Sequence, residues 1–234
     1  MAQHIGIVGC SAEGAALCYK AICVEGAQFL GTHAHPEVSM NTLPLAEYLK
    51  CTGRGDWPGV AELLLASARK LANVGADFLI CPANTMHEAL AHVVPRSPLP
   101  WLHIADAVAE EAAARRFKRL GILGTRWLIA SSVYTEKFAA RGLECVHPNA
   151  AETDELHRII IDELNRSLFK PAAVTYHQKV IARLKDAGCE AVVLACTEIP
   201  LIINDANSAL PTLDSTRLLA HAALRRAVSG GTVR

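Results

Sequence analysis

Short apolar runs recur along the chain and alternate with longer segments whose apolar residues follow helical spacing. The runs that predict strands are HIGIVG (4–9), QFLGTH (28–33), DFLICP (77–82), WLHI (101–104), RLGILGT (119–125), LECVH (143–147), EAVVLAC (190–196) and PTLD (211–214). Helices are predicted near 58–74, before 116, and at 127–141, 152–168, 173–187 and after 214. Alternating strands and helices predict parallel sheets covered by helices.

The second half of the chain resembles the first half in sequence. The matching pairs are IGIVGCS (5–11) with LGILGTR (120–126), LANVGADFLICPANT (71–85) with LKDAGCEAVVLACTE (184–198), and LPWLHIA (99–105) with LPTLDST (210–216). All three pairs occur in the same order, at offsets of 115, 113 and 111 residues. We therefore expect two pseudo-symmetric α/β lobes, each with a parallel sheet of about four strands. The predicted lobes are 1–103 with 214–234, and 104–213, with an active-site cleft between them.

The repeat aligns two strand-to-helix corners. It places Ala83 opposite Cys196, Asn84 opposite Thr197 and Thr85 opposite Glu198. Parallel sheets bind ligands beyond the carboxyl ends of their strands, which is where both corners are predicted. A helix is expected to begin at Thr197, and a helix N-terminus would lower the pKa of the Cys196 thiol. We also expect the Thr197 side chain to cap that helix or to donate to an anion.

Two thiols on opposite sides of a substrate could exchange protons with a carbon acid, one removing a proton while the other delivers one. Backbone N–H groups at the two corners would hold a carboxylate and stabilise the enolate-like charge, so no cofactor is expected. One corner of this chain, however, has an alanine at position 83 in place of a thiol.

Composition, charge and cysteine spacing limit the partners, the location and the metal sites that are expected for this protein. The 234 residues are 51% apolar and 20% charged with zero net charge, so no nucleic-acid partner is expected. No signal peptide is expected, and no apolar run approaches the roughly 20 residues that span a membrane, so a cytoplasmic protein is predicted. The eight cysteines lack the spacing of a disulfide scaffold or of zinc knuckles. His33 and His35 have no third ligand at useful spacing, so no metal is expected.

Five segments together resemble the aspartate/glutamate racemase family of cofactor-independent amino-acid racemases. They are GIVGCSAEG (6–14), PANTMH (82–87), GILGT (121–125), ACTEIPLI (195–202) and LPTLDST (210–216). The resemblance spans nearly the whole chain, and CTEIPLI is highly specific. Family members usually have cysteine at the position of Ala83, and some have threonine or another residue. The resemblance implies an isomerase that works without pyridoxal phosphate on an amino acid or small carboxylate, and a homodimer.

The resemblance also implies roles for individual residues. Cys196 corresponds to the second catalytic cysteine, and Ala83 occupies the position of the first. The residues implied to bind substrate are mostly small and polar: Ser11, Asn84, Thr85, Thr125, Thr197 and Glu198. An arginine and a lysine often hold the second carboxylate in the family, and the candidates here are Arg54, Arg126 and Lys170, although a surface role is favoured for each.

A methyl group cannot transfer a proton, so another group would have to replace the missing thiol. His87 lies three residues after Asn84 on the same helical face and is a candidate base, although a hydrogen-bonding role beside the site is favoured. Cys81 is displaced from position 83 by about 6.5 Å along a strand and is therefore predicted to be structural. Cys10, at the end of the first strand, is a further candidate.

Three functions remain open at this point. The first is an amino-acid racemase acting on aspartate, glutamate or a relative, in which His87 or water supplies the second base, or in which Ala83 is an engineered replacement of cysteine. The second is a single-cysteine decarboxylase or isomerase resembling arylmalonate decarboxylase, in which one thiol protonates an enediolate from one face. The third is a catalytically silent carboxylate-binding protein.

Overall fold

The computed structural model describes residues 2–229 and divides the chain into two compact units. The first unit comprises Met1–Ile104 with Thr216–Arg234, and the second comprises Ala105–Ser215. Each unit contains one parallel sheet with helices beside it, so the predicted α/β class with two lobes is confirmed.

The sheet of the first unit has three strands in the order β2-β1-β3. The strands are β1 (Ile5–Gly9), β2 (Val38–Thr42) and β3 (Phe78–Ile80). The helices that follow them are α1 (Ala12–Glu25), α2 (Ala27–Leu30), α3 (Leu45–Thr52), α4 (Trp57–Asn73) and α5 (Leu90–Val93), with 3₁₀ helices at Asn84–Ala89 and Val94–Arg96. β1 and β3 are fully buried and almost wholly apolar, which is typical of parallel strands covered on both faces.

The sheet of the second unit has four strands in the order β5-β4-β6-β7. The strands are β4 (Arg119–Leu123), β5 (Glu144–Val146), β6 (Ala191–Leu194) and β7 (Thr212–Asp214). The helices are α6 (Ile104–Ala114), α7 (Arg126–Ile129), α8 (Thr135–Ala139), α9 (Ala150–Asp162) and α10 (Pro171–Asp186), with 3₁₀ helices at Leu164–Arg166 and Ile199–Leu201. The last helix, α11 (Ser215–Ser229), follows β7 directly and belongs almost wholly to the first unit.

Backbone details repeat at the offsets predicted from the sequence. Gly75 and Gly188, which the repeat aligns, have φ of 87° and 85°, a conformation that favours glycine before the third strand of each sheet. Ser97 Oγ donates to the Leu99 carbonyl at 2.7 Å, and Ser208 Oγ donates to the Leu210 carbonyl at 2.7 Å. The two halves therefore share a turn as well as a strand order.

The first sheet is one strand shorter than predicted. The segment predicted as strand 101–104 makes a single parallel bridge, between Trp101 and Leu79, and Ile104 already begins α6. Its counterpart in the repeat is β7, which pairs with β6 over three residues. The apolar pattern WLHI thus marked the right position in the sheet, although the segment forms only a bridge there.

The strand predicted at 28–33 is wrong. Ala27–Leu30 form helix α2, which ends at Gly31 with φ of 97°, and the strand lies later, at β2. β2 is an edge strand with a partly exposed, polar sequence, VSMNT, so it lacks the continuous apolar run on which the prediction relied. The apolar residues Phe29 and Leu30 are 41% and 40% exposed, so they mark no buried strand.

The single helix predicted at 127–141 is divided into α7 and α8. Ser131 Oγ donates to the Leu128 carbonyl at 2.6 Å, so a side chain takes a main-chain acceptor at the end of α7. Serine competes in this way with helical hydrogen bonds and favours turns. The helix expected to begin at Thr197 is also wrong, because this segment forms only a short 3₁₀ helix, Ile199–Leu201.

Candidate functional site

The end of β6 brings Cys196 to the same sheet edge as Thr125. Leu123 pairs with Leu194, and the Ala195 N–H donates to the Leu123 carbonyl at 2.8 Å, so the residues that follow β4 and β6 leave the sheet side by side. Gly124 makes this close approach possible, because a Cβ there would lie 3.1 Å from the Ala195 carbonyl oxygen and 2.7 Å from Leu128. Thr125 then caps α7, its Oγ1 accepting from the Leu128 N–H at 3.2 Å.

Cys196 hydrogen-bonds to a carboxylate two residues away. Its Sγ donates to Glu198 Oε2 at 3.0 Å, and Thr197 Oγ1 donates to the same oxygen at 2.8 Å. Burial, followed by the negative charge of Glu198, raises the pKa of the Cys196 thiol well above its usual value. The expectation that a helix N-terminus lowers this pKa is therefore wrong, since the following 3₁₀ helix is a single turn and the nearest charge is negative.

Glu198 also carries a buried oxygen with no partner. The side chain is 2% exposed, and Oε1 has no hydrogen-bond partner among residues 2–229. A buried acceptor left unsatisfied costs about 1–3 kcal/mol, so such groups are usually completed by water, an ion or a ligand. The family resemblance implied that Glu198 binds substrate, and its contact with the thiol was not predicted, although the short spacing in Cys-Thr-Glu was a signal for it.

The corresponding corner of the first unit has no proton-transferring side chain at position 83. Ala83 is extended (φ −146°, ψ 95°), half-buried and packed against the apolar cluster between the sheet and α3–α4. The 3₁₀ helix Asn84–Ala89 begins immediately afterwards and buries Asn84 and Thr85, which are 3% and 9% exposed. The predicted carboxylate-holding residues thus follow β3 as Thr197 follows β6.

His87 has both ring nitrogens engaged by the main chain. Nε2 donates to the Cys81 carbonyl at 2.9 Å, and Nδ1 accepts from the Ile104 N–H at 3.4 Å. The ring also packs edge-on against His103, with centroids 4.7 Å apart. These contacts hold the ring in place within the first unit, so they favour a positioning role over that of a second base.

The remaining predicted residues occupy less specialised positions. Ser11 stands at the N-terminus of α1 and is half-buried. The candidate residues for binding a second carboxylate are exposed cations that lie in or near ion pairs: Arg126 with Asp154 at 2.8 Å, Lys170 with the buried Glu163 at 3.4 Å, and Arg54 with Asp56 at 3.8 Å. Each cation already has a carboxylate neighbour of its own.

Residues 2–229 contain no helix that is both long and apolar enough to cross a membrane. The same residues contain no cluster of three or more histidine, cysteine, aspartate or glutamate side chains able to hold a metal ion.

Comparisons with known proteins agree with this architecture. The model of the Asp/Glu/Hydantoin racemase family matches residues 5–223. The chain is 28% identical to an aspartate racemase homologue from Pyrococcus horikoshii, with a TM-score of 0.81 over 97% of this chain and 99% of the other. It is also 28% identical to a candidate Asp/Glu racemase from Yersinia pestis, with a TM-score of 0.86 over the same shares of both chains.

The chain is also similar in sequence to two named racemases. The chain is 23% identical over 168 residues to the broad specificity amino-acid racemase RacX of Bacillus subtilis, covering 70% of this chain and 71% of that protein. It is 29% identical over 146 residues to glutamate racemase of Corynebacterium diphtheriae, covering 61% of this chain but only 53% of that enzyme. The chain belongs to the Asp/Glu/hydantoin racemase family, and its enzyme class is that of an isomerase.

Proposed function

We propose that the chain is a cofactor-independent amino-acid racemase in which Cys196 is the acid–base group at the α-carbon. The observation that carries the proposal is the 3.0 Å hydrogen bond from the Cys196 thiol to Glu198. Names of the relatives, which include glutamate racemases and a broad specificity amino-acid racemase, support an amino-acid substrate of the aspartate and glutamate class.

Proton transfer at Cys196 would run through Glu198. A thiol whose pKa is raised rests in the protonated form, so it is ready to donate to a carbanion. To remove an α-proton instead, the thiol must first lose its own proton, and the carboxylate that accepts its hydrogen bond is the adjacent base. The pair therefore interconverts the donating and accepting forms of Cys196 without a cofactor.

Substrate binding would use the small polar residues that follow the strands. Asn84, Thr85 and Thr197 are proposed to hold the α-carboxylate, and Ser11 and Thr125 are proposed as further substrate-binding residues. The substrate's ammonium group would supply the donor that the buried Oε1 of Glu198 lacks among residues 2–229. Glu198 would then bind the substrate's amino group and, at the same time, accept the hydrogen bond of the thiol.

Ala83 favours a second candidate function. Because position 83 presents only a methyl group, proton delivery by a side chain there is ruled out, and a one-sided reaction becomes the alternative. In that reaction Cys196 protonates an enediolate from one face after decarboxylation or isomerisation. A racemase would need water or another side chain as its second base.

Proton exchange separates these functions. Each enantiomer of aspartate and glutamate is incubated with the protein in D₂O, and deuterium at the α-carbon is followed by NMR together with optical rotation. Exchange with loss of rotation supports the racemase, whereas exchange that retains configuration supports one thiol acting alone. CO₂ release from a disubstituted malonate without amino-acid exchange supports the decarboxylase, and inactivity in every assay would refute both enzymatic proposals.

We also propose a homodimer located in the cytoplasm, an expectation taken from the family. Sedimentation equilibrium at several concentrations measures the assembly directly. A mass close to that of one 25.1 kDa chain at all concentrations would contradict the dimer.

A further inference from the structure

Two cysteines outside the proposed catalytic group lie in contact in the first unit. Cys10 Sγ and Cys81 Sγ are 3.8 Å apart, and the two side chains are 3% and 1% exposed. They are 71 residues apart in the chain and meet only because β1 and β3 are neighbours in the sheet. The contact is therefore a product of the tertiary fold.

Both thiols point to the same side of the sheet. Ile5 and Ile7 of β1 pack with α1 and α11, whereas Val8 and Cys10 pack with Cys81, α3 and α4. Cys18 lies in the cluster on the first side, on α1, and is also fully buried. Cys18 therefore serves as a control, because it is a buried thiol of the same unit that packs on the opposite face of the sheet.

The two cysteines directly follow β1 and β3, at the start of the segments that carry proposed substrate-binding residues of the first unit. Cys10 directly precedes Ser11, and Cys81 lies two residues before Ala83. The carbonyl of Cys81 also accepts the hydrogen bond that orients His87 in the 3₁₀ helix with Asn84 and Thr85. A change in the backbone at Cys81 would therefore be transmitted to residues proposed to bind substrate.

We propose that Cys10 and Cys81 form a reversible intramolecular disulfide that lowers the enzyme's affinity for its substrate. A disulfide has an S–S distance of about 2.05 Å, so the sulfur atoms must approach by roughly 1.8 Å. Each sulfur atom can swing only as far as its close-packed neighbours allow, so we expect the backbone to take up part of this movement. The segment that starts at Pro82 and carries Asn84 is the nearest part of the chain to move.

Hydrogen peroxide, a small two-electron oxidant, accepts the two electrons that are released when the disulfide forms. One thiol loses its proton, and its thiolate attacks a peroxide oxygen; the O–O bond breaks, and sulfenic acid and hydroxide are formed, the hydroxide taking up the released proton to give water. The second thiol then attacks the sulfenic sulfur, the S–O bond breaks, and water leaves with the thiol proton. Overall, two thiols are oxidised, one peroxide is reduced and two waters are released. A dithiol such as dithiothreitol reverses the product by exchange.

Peptide mass spectrometry tests the bond without using activity. Trypsin places Cys10 and Cys18 together in residues 1–20 and leaves Cys81 as the single cysteine of residues 71–96. After peroxide treatment and alkylation without reduction, we expect these two peptides to be joined, with a loss of about 2 Da relative to their sum. Fragment ions between Ser11 and Leu17 assign the bond to Cys10, and dithiothreitol should remove it.

Substrate affinity provides the functional readout. The Kd for aspartate and glutamate is measured by calorimetry on reduced, oxidised and re-reduced protein, and the same series is repeated for Cys10→Ser and Cys18→Ser. A misplaced hydrogen bond to the substrate's carboxylate weakens binding by roughly tenfold or more, so we expect at least a roughly tenfold reversible loss in wild type and Cys18→Ser, and none in Cys10→Ser. Alkylated Cys196, measured in the same digest, corrects for oxidation of that thiol.

The outcomes are distinguishable from failure of the proposed function. If the cross-link forms but neither amino acid binds in the reduced state, the substrate assignment fails while the disulfide stands. If peroxide gives only sulfinic acid, or pairs either thiol with Cys18, the disulfide proposal is overturned. A Cys10–Cys81 bond that leaves Kd unchanged would overturn its effect on affinity. The cross-link is measured in wild type, so it does not depend on the folding of any variant.

Discussion

Replacing Glu198 by glutamine tests the pairing that the proposed chemistry needs. The variant keeps the shape of the side chain but removes a negative charge from a position 3.0 Å from Cys196 Sγ. At an effective dielectric constant of 20, the repulsion between two unit charges at that separation is roughly 5.5 kcal/mol. Cys196 is half-buried as a residue, so this repulsion is partly screened, but one quarter of it, about 1.4 kcal/mol, already changes the thiolate population tenfold.

The sign of this effect follows from the causes of the raised pKa. Burial and Glu198 both raise the pKa of Cys196, so removing the charge lowers that pKa towards its usual value and leaves the part due to burial. At neutral pH we therefore expect Glu198→Gln to react with iodoacetamide at least about ten times faster at Cys196 than wild type does. Turnover should fall in the same variant by roughly 100-fold, because the base that accepts the thiol proton is lost.

The assay follows alkylation of Cys196 by mass spectrometry across a range of pH. Cys189 lies in the same tryptic peptide, 186–217, so fragment ions between the two cysteines assign the modification and Cys189 acts as an internal control. Glu198→Asp keeps the charge on a shorter side chain and should retain the slow reaction. An unchanged pH profile in Glu198→Gln would refute the reasoning, since it would mean that the carboxylate does not act on the thiol.

Three further results are expected. Cys196→Ser should reduce α-proton exchange by about 10³-fold or more, because an alcohol is a far weaker acid than a thiol, and exchange at the wild-type rate would exclude Cys196 as the base. Ala83→Cys, at the position that the repeat pairs with Cys196, should raise the rate of racemisation relative to exchange, measured by polarimetry and NMR; an unchanged ratio counts against a two-thiol mechanism. His177 is fully buried and burial lowers its pKa, so the unfolded state binds a proton at this residue more readily than the folded state does. The free energy of unfolding is therefore expected to fall as pH drops below about 6.5, by up to ~1.4 kcal/mol per pH unit. His177→Leu should flatten this pH dependence in urea-unfolding measurements, and equal slopes in the variant and wild type would contradict the argument.

Strands buried in the interior were predictable because their sequences are continuous apolar runs. β1, β3, β4 and β6 all fall within predicted segments, and each is covered on both faces by helices. β2 was missed because it lies at a sheet edge, where water reaches one side and the sequence need not be apolar. Apolar patterns report burial, so they give a weaker signal where an element is half-exposed, although the edge strands β5 and β7 still fall within predicted segments.

The candidate site was predictable in its position but only partly in its electrostatics. The strand-end positions of Cys196, Thr197 and Asn84 follow from the repeat and from the geometry of parallel sheets. The direction of the Cys196 pKa was predicted wrongly, since the sequence could not show that the next helix would be a single turn or that the Glu198 carboxylate would fold back onto the thiol.

By itself, the sequence determined the α/β class, the internal repeat and the two corners, because these depend on local periodicity and on the order of motifs along the chain. Only the tertiary structure decided which groups meet there. It brought Cys10 to Cys81 across 71 residues, and it occupied both nitrogens of His87 with main-chain groups, one of them at Ile104. The physical reason is that hydrogen bonds and burial act at a few ångströms in space, and the spacing of residues along a chain does not specify those distances.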